Sequence, residues 1–186
     1  MDESYPMILY VAFALYTLLL GVAAVFDTWK FVIPNAISVA LVVLFIATAL
    51  LLPEMTPRVP AMTGTAWLSH VGAAVAVFIG GAVLYAFNKM GGGDVKLLTA
   101  VAFWTGFEHL MELLLYVAIA GGVLAIVLIV MRKVIVSAGS ASTRLAEIEL
   151  PRVLLDGEAV PYGLAIAPIS IYLGTKLPQL GAYIWI

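Results

Sequence analysis

The sequence predicts an all-α, polytopic membrane protein of about six transmembrane helices, with an active site at the membrane edge. Three observations carry the fold class. Of the 186 residues, 64% are hydrophobic and only 11% charged, whereas soluble chains carry about a quarter charged residues. The mean hydropathy is +1.13. The apolar residues also fall into runs of about 20, the length a helix needs to cross the hydrocarbon core. The whole chain, 1–186, reads as one integral membrane domain. A formal charge of −2 leaves no basic footprint for nucleic acid. The absence of cysteine excludes disulfides, thiolate metal sites and a cysteine nucleophile.

The first run is Met7 to Phe26. Asp2 and Glu3 precede it in place of a positive flank, and Ala23-Ala24 leads into Val25-Phe26-Asp27, a poor cleavage site, so it reads as a retained helix. A short link from Asp27 to Pro34 follows. The second run is Asn35 to Leu52, started by Asn35 as cap or by Pro34 in the first turn. Pro53, Pro57 and Pro60 mark a loop reaching Ala66. Trp67 to Phe87 is the third run, and Val95 to Phe107 a short fourth. The stretch from Val95 to Met131 would measure roughly 55 Å as one helix, nearly twice the core thickness. It must fold back, at Gly106-Phe107-Glu108-His109, making Glu112 to Met131 the fifth span. A loop over about 132–160 comes next. In it, Ser137 to Ser142 resembles a flexible stretch, and Arg144 to Leu155 an amphipathic segment for the membrane surface. Tyr162 to about Ile186 is the last span, interrupted by Lys176 and Pro178.

Under this topology Lys30, Lys89, Lys96, Arg132, Lys133, Arg144 and Arg152 share one side, and only Arg58 and Lys176 lie on the other. The positive-inside rule makes the first side cytoplasmic and places both chain ends outside. Asp27 closes the first span and Asp94 opens the fourth. Two spans separate them, so both face the same side however the short fourth span is settled. Ionisable groups at such positions are functional-site candidates by default. A pair of carboxyls sharing a proton suits acid–base chemistry, one acting on a water and the other on a carbonyl. An ordinary reading stands beside this one: Gly91-Gly92-Gly93 ending a helix, Asp94 capping the next, and Asp27 as an interfacial residue near Lys30.

The residues around the two acids add a resemblance. Asp27-Thr28-Trp29-Lys30-Phe31-Val32-Ile33-Pro34-Asn35, then Gly91-Gly92-Gly93-Asp94-Val95-Lys96-Leu97 with its Gly-x-Gly-Asp, then Val160-Pro161-Tyr162-Gly163-Leu164-Ala165 occur in order along the chain. Together they resemble the type IV prepilin peptidases, membrane aspartyl proteases, and within them the short branch that serves Flp/Tad pilus assembly. The resemblance implies Asp27 and Asp94 as the catalytic pair. Gly91, Gly93, Lys96, Pro34, Asn35, Tyr162 and Gly163 are the residues expected to shape the site or meet substrate. Lys96 is open to a second role, as a snorkelling residue that sets topology.

The resemblance further implies a prepilin substrate: a short basic leader, a glycine at the cut, and an apolar helix held in the bilayer of the inner, cytoplasmic membrane. No cofactor is expected. Larger members of that family carry an N-terminal cytoplasmic region with paired cysteines and many also N-methylate their product. Six residues precede the first span here, so cleavage without methyl transfer is expected. No metal site is expected either. Glu108, His109 and Glu112 have a metal-compatible composition but belong to the far side of the membrane. His70 and the terminal aromatics Tyr5, Trp29, Trp67 and Trp185 read as interfacial. A preflagellin-type peptidase, or a small transporter subunit using the Asp pair for protons or cations, are the alternative functions. A homo-oligomer stays open.

Overall fold

The computed structural model describes residues 4–55, 61–141, 152–155, 160–177 and 180. They form α1 (Ser4–Lys30), α2 (Asn35–Met55), α3 (Gly64–Ala86), α4 (Gly92–Ala141) and α5 (Gly163–Gly174), with a 3-10 turn at Arg152–Leu154. No strand occurs among the described residues. Met7–Lys30, Gly64–Ala86 and Gly92–Ile135 are long and apolar enough to cross a membrane, and Asn35–Leu51 and Gly163–Gly174 are shorter apolar helices. Large apolar side chains such as Leu18, Val43, Phe78 and Ile119 are exposed around the bundle. A belt of that kind needs lipid to cover it, which makes this a polytopic membrane protein. Arg58, Arg144 and the chain beyond Leu177, apart from Leu180, lie outside the described residues, as do both chain ends.

The fold-back expected near Gly106 is there. Gly106 has φ 59 and ψ −174 inside α4, a region open essentially to glycine alone. It divides α4 into a first arm, 92–105, and a second arm, 107–141. The first arm runs against α3, with Gly81 facing Val95 at one end and His70 meeting Phe103 at the other. The second arm returns along α5, with Glu112 bonded to Lys176 at one end and Gly121 against Tyr162 at the other. Side chains of α3 satisfy backbone groups freed at the break: the Ser69 hydroxyl accepts from Phe107 N–H at 3.0 Å, and His70 Nδ1 lies 2.8 Å from Phe103 O. Orphaned main-chain groups in apolar surroundings are expensive, so this pairing is what allows a sharp reversal here.

The core centres on Tyr16, Phe45 and Trp104, with Tyr16 and Trp104 rings 4.9 Å apart and Phe45 and Trp104 rings 5.2 Å apart. Trp104 Nε1 donates to Leu41 O at 3.0 Å, and the Tyr16 hydroxyl to Ser170 O at 3.3 Å. These bonds tie α1, α2, the first arm and α5 together with no buried ring polar atom left over.

Besides starts at Gly64 and Gly92 that precede the expected Trp67 and Val95, four boundaries depart from the expected ones. α1 continues through Lys30, so Asp27 sits inside its last turns instead of just beyond the span. α2 continues through Pro53 to Met55. The second arm of α4 continues to Ala141, so the part of Ser137 to Ser142 up to Ala141 is helical. Extending a formed helix needs no new nucleus, and small Ala and Ser residues do not oppose it. α5 ends at Gly174 after 12 residues, roughly 18 Å, well short of a span reaching toward Ile186. Thr175 to Leu177 continue as turns, Lys176 is engaged with Glu112, and Pro178 follows. A proline there disfavours helix before it and removes a donor after it.

Candidate active site

Asp27 of α1 and Asp94 of α4 lie 67 positions apart in sequence yet line one cavity of about 280 Å³. Both are buried, at 5% and 7% exposure. Asp27 reaches the cavity because α1 runs to Lys30 and then stops at Phe31, whose φ of 52 turns the chain away. A left-handed φ is uncommon for a bulky non-glycine residue and clusters at functional sites. Asp94 reaches it from the first turn of α4, which begins directly after the α3 cap. Asn88 adopts φ 55 there; its N–H bonds to Tyr85 O and Lys89 N–H bonds to Leu84 O. That Schellman arrangement satisfies the last carbonyls of α3 and frees Gly91 to Gly93 to begin the next helix.

The glycines are present for space. A Cβ on Gly91 would stand 2.7 Å from Asp94 Oδ2, and one on Gly93 would stand 3.1 Å from Ile33 Cβ and 3.3 Å from its backbone nitrogen. At Gly93 the neighbours are a Cβ and a backbone atom, which cannot easily give way, whereas at Gly91 the carboxyl end of Asp94 itself would have to move. The middle glycine, Gly92, is freer, with Tyr85 no nearer than 3.4 Å.

The two carboxyls are held differently. Asp27 Oδ2 accepts from the Gly163 N–H at 2.7 Å, a bond from the start of α5. Helix N-termini present unpaired N–H groups and favour negative charge. A Cβ on Gly163 would meet Asp27 Oδ2 at 2.8 Å and its Cβ at 3.0 Å, so only glycine allows this approach. Asp94 Oδ1 is buried and has no hydrogen-bond partner among the described residues.

The expected site residues divide into three groups. Gly91, Gly93, Asn35 and Lys96 line the cavity with the acids. Gly163 supports Asp27 without lining it. Pro34 and Tyr162 stand apart: Pro34 leads into α2, its carbonyl accepting from Ile37 N–H at 3.0 Å, and Tyr162 packs on Gly121 of the second arm. Lys96 donates to Asn35 Oδ1 at 2.8 Å, joining the first arm to α2 at the cavity edge. Phe31, Val32, Ile33, Gly92 and Tyr85 also line the cavity and were not singled out from sequence. Only the Asp27-to-Pro34 link hinted at the first three, and nothing marked Tyr85.

No group of His, Asp and Glu residues suited to a metal ion occurs among the described residues. Glu108, His109 and Glu112 lie at the Gly106 end, where Glu112 bonds to Lys176 at 2.5 Å and stands 3.4 Å from His109. Glu112 holds the Lys176 ammonium above its usual range. His70, expected to be interfacial, also secures the α4 break and packs its ring 4.9 Å from that of Phe45.

The family model described as the type IV leader peptidase family matches residues 14–126, a stretch that holds both acids, the Gly-x-Gly and the reversal at Gly106. Comparison with curated proteins and with solved structures returns no match. With more than half of the sequence covered, and with the paired acids it brackets lining one cavity, the chain belongs to the type IV leader peptidase family.

Proposed function

We propose that this leader peptidase is an aspartyl endopeptidase that removes the short basic leader of Flp-type prepilins, with Asp27 and Asp94 as its catalytic pair. The single observation that carries the reading is the shared cavity, in which one acid is anchored by the Gly163 N–H and the other keeps an oxygen unpartnered.

The chemistry follows from two carboxyls in one pocket holding one proton between them. The ionised carboxyl takes a proton from water as the water oxygen bonds to the scissile carbonyl carbon. The protonated partner gives its proton to the carbonyl oxygen. The C–N bond then breaks as the leaving amine takes a proton from the first carboxyl, and the second recovers its own from the tetrahedral hydroxyl. The pair titrates as a unit, so neither role is assigned to one residue. Gly91 and Gly93 keep the cavity wall thin enough for an extended peptide to come close. Non-helical backbone at that depth needs a protein-lined cavity to satisfy it.

We read the carboxylate end as the cytoplasmic face of the inner membrane. Lys30 ends α1 beside it and Lys96 lines the cavity. Arg132 donates through Nε and Nη2 to Val153 O at 3.1 and 2.9 Å, in the 3-10 turn that packs on α1 and α4. Basic residues at one end support cytoplasmic placement.

The test is cleavage of a candidate Flp-type precursor by purified protein in detergent. Asp27→Asn and Asp94→Asn should each reduce cleavage by about a thousandfold or more while expression and insertion stay normal. Cleavage at the wild-type rate by either variant would remove the paired-acid mechanism.

A further inference from the structure

The backbones of α2 and α3 stay apart along their length: among the described residues no Cα of one lies within 8 Å of a Cα of the other. At the Gly106 end the Phe45 side chain of α2 fills the gap, its ring centroid 5.9 Å from that of Trp67 and 4.9 Å from that of His70. Toward the carboxylates this gap becomes a cleft of about 490 Å³. Val39, Val42 and Val43 of α2 and Phe78 of α3 form its walls, and Thr99 and Ala100 of the first α4 arm its floor.

Two features separate this cleft from ordinary lipid-facing surface. It ends at Asn35 and Lys96, which also line the carboxylate cavity, so that hydrogen-bonded pair is a wall common to both spaces. Its floor carries the small side chains of Thr99 and Ala100, which let another helix backbone approach closely.

We propose that this cleft receives the apolar helix of the precursor, the segment that follows the cut. Seated there against α2, α3 and the first arm, that helix hands the preceding residues across Asn35 and Lys96 to Asp27 and Asp94. The inference rests on the peptidase reading and adds to it the surface by which the substrate is held. An occupied cleft also explains why α2 and α3 need not meet: the substrate helix supplies the packing between them.

The chain has no cysteine, which makes disulfide cross-linking a clean test. The probe is a synthetic precursor in phospholipid vesicles: a basic leader, a glycine at the cut, and an apolar helix of about 20 residues with one cysteine in its first half. Val39→Cys and Val43→Cys, exposed at 60% and 58%, should cross-link to it about tenfold more than Ile119→Cys, exposed at 55% on the second arm. Using two cleft positions keeps a folding defect at one from deciding the result. In parallel, Val43→Trp should raise the KM for this precursor about tenfold, and Ile119→Trp should leave it near the wild-type value. Equal yields from all three cysteine positions, or an unchanged KM in Val43→Trp, would overturn the inference and leave the cleft to acyl chains. The cross-link forms whether or not the precursor is cut. Absence of cleavage in the same vesicles therefore tells against the peptidase reading and not against the cleft.

Discussion

At the Gly106 end of the bundle, Ala61, Thr63, Ser69, His70, Glu108, His109 and Lys176 surround a cavity of about 580 Å³. At the other end, Asp27 and Asp94 share one of about 280 Å³. The larger cavity has the richer set of polar side chains. Yet Ser69 and His70 are committed to the backbone of the α4 break, and Glu112 and Lys176 to each other. The smaller cavity is lined by two buried acids, and Asp94 Oδ1 has no partner among the described residues. Size and polarity are therefore poor guides to chemistry in this protein. What marks the proposed site is a buried carboxyl whose bonding capacity the described residues leave open.

The comparison would break most visibly at the acids. Combining Asp27→Asn with Asp94→Asn should lower cleavage no further than either change alone, because groups acting as one unit are grossly non-additive. Losses that multiply in the double variant would mean two independent contributions, and the shared cavity would lose its significance.

Gly163→Ala comes next. The added Cβ meets Asp27 at 2.8 to 3.2 Å, so α5 or the carboxyl must shift. A displacement of a few tenths of an ångström to about 1 Å at a reacting group is expected to slow cleavage about 10- to 100-fold. The control is Gly122→Ala on the second arm, where nothing lies within 4 Å of the new Cβ. It should leave cleavage intact and add up to about 1 kcal/mol of helix stability. Equal cleavage by the two variants would show that Asp27 does not depend on the start of α5.

At the opposite end the same substitution should act on folding instead. Gly106→Ala places a side chain at φ 59, with its Cβ 3.1 Å from Ser69 Oγ and 3.3 Å from the His70 ring. The expected loss is about 1–3 kcal/mol of stability, read from thermal unfolding in detergent. The cleavage rate per folded molecule should hold near wild type. A rate that falls with unchanged unfolding would tie the hairpin to the chemistry and erase the distinction between the two ends.

Legibility from sequence divides along similar lines. Apolar runs and the excess length between Val95 and Met131 revealed the spans and the reversal, because the bilayer imposes a length that counting can detect. Parity of crossings put Asp27 and Asp94 on one side without any knowledge of helix rotation. Contacts that depend on rotation and depth stayed hidden: Tyr85 in the cavity wall, Lys96 turned to Asn35, and His70 securing the α4 break. Nothing in the spacing of His70 separates a half-buried ring that caps a helix break from a merely interfacial one. The early end of α5 was hidden for another reason. Hydropathy continues past Gly174, while the turn at Thr175 and the Glu112–Lys176 pair are tertiary facts.

That pair supplies the smallest effect and the finest control. Lys176 is 37% and Glu112 25% exposed in their side chains, so water screens their attraction even though the geometry is close. Exposed ion pairs contribute about 0–1 kcal/mol, and the Lys176 ammonium also lies over the Tyr172 ring at 4.8 Å. Lys176→Met keeps the aliphatic stem and removes the charge, so the expected loss is under about 1 kcal/mol in thermal unfolding and shrinks further in high salt, where screening shortens. Cleavage should be unaffected, because the pair fastens the end of α5 farthest from Gly163 and the Asp27 bond is made at its start. A clear fall in cleavage with Lys176→Met would show that the register of α5 is set at its far end and carried along the helix to Asp27. The two ends would then be mechanically coupled, and the contrast between them would describe one device instead of two.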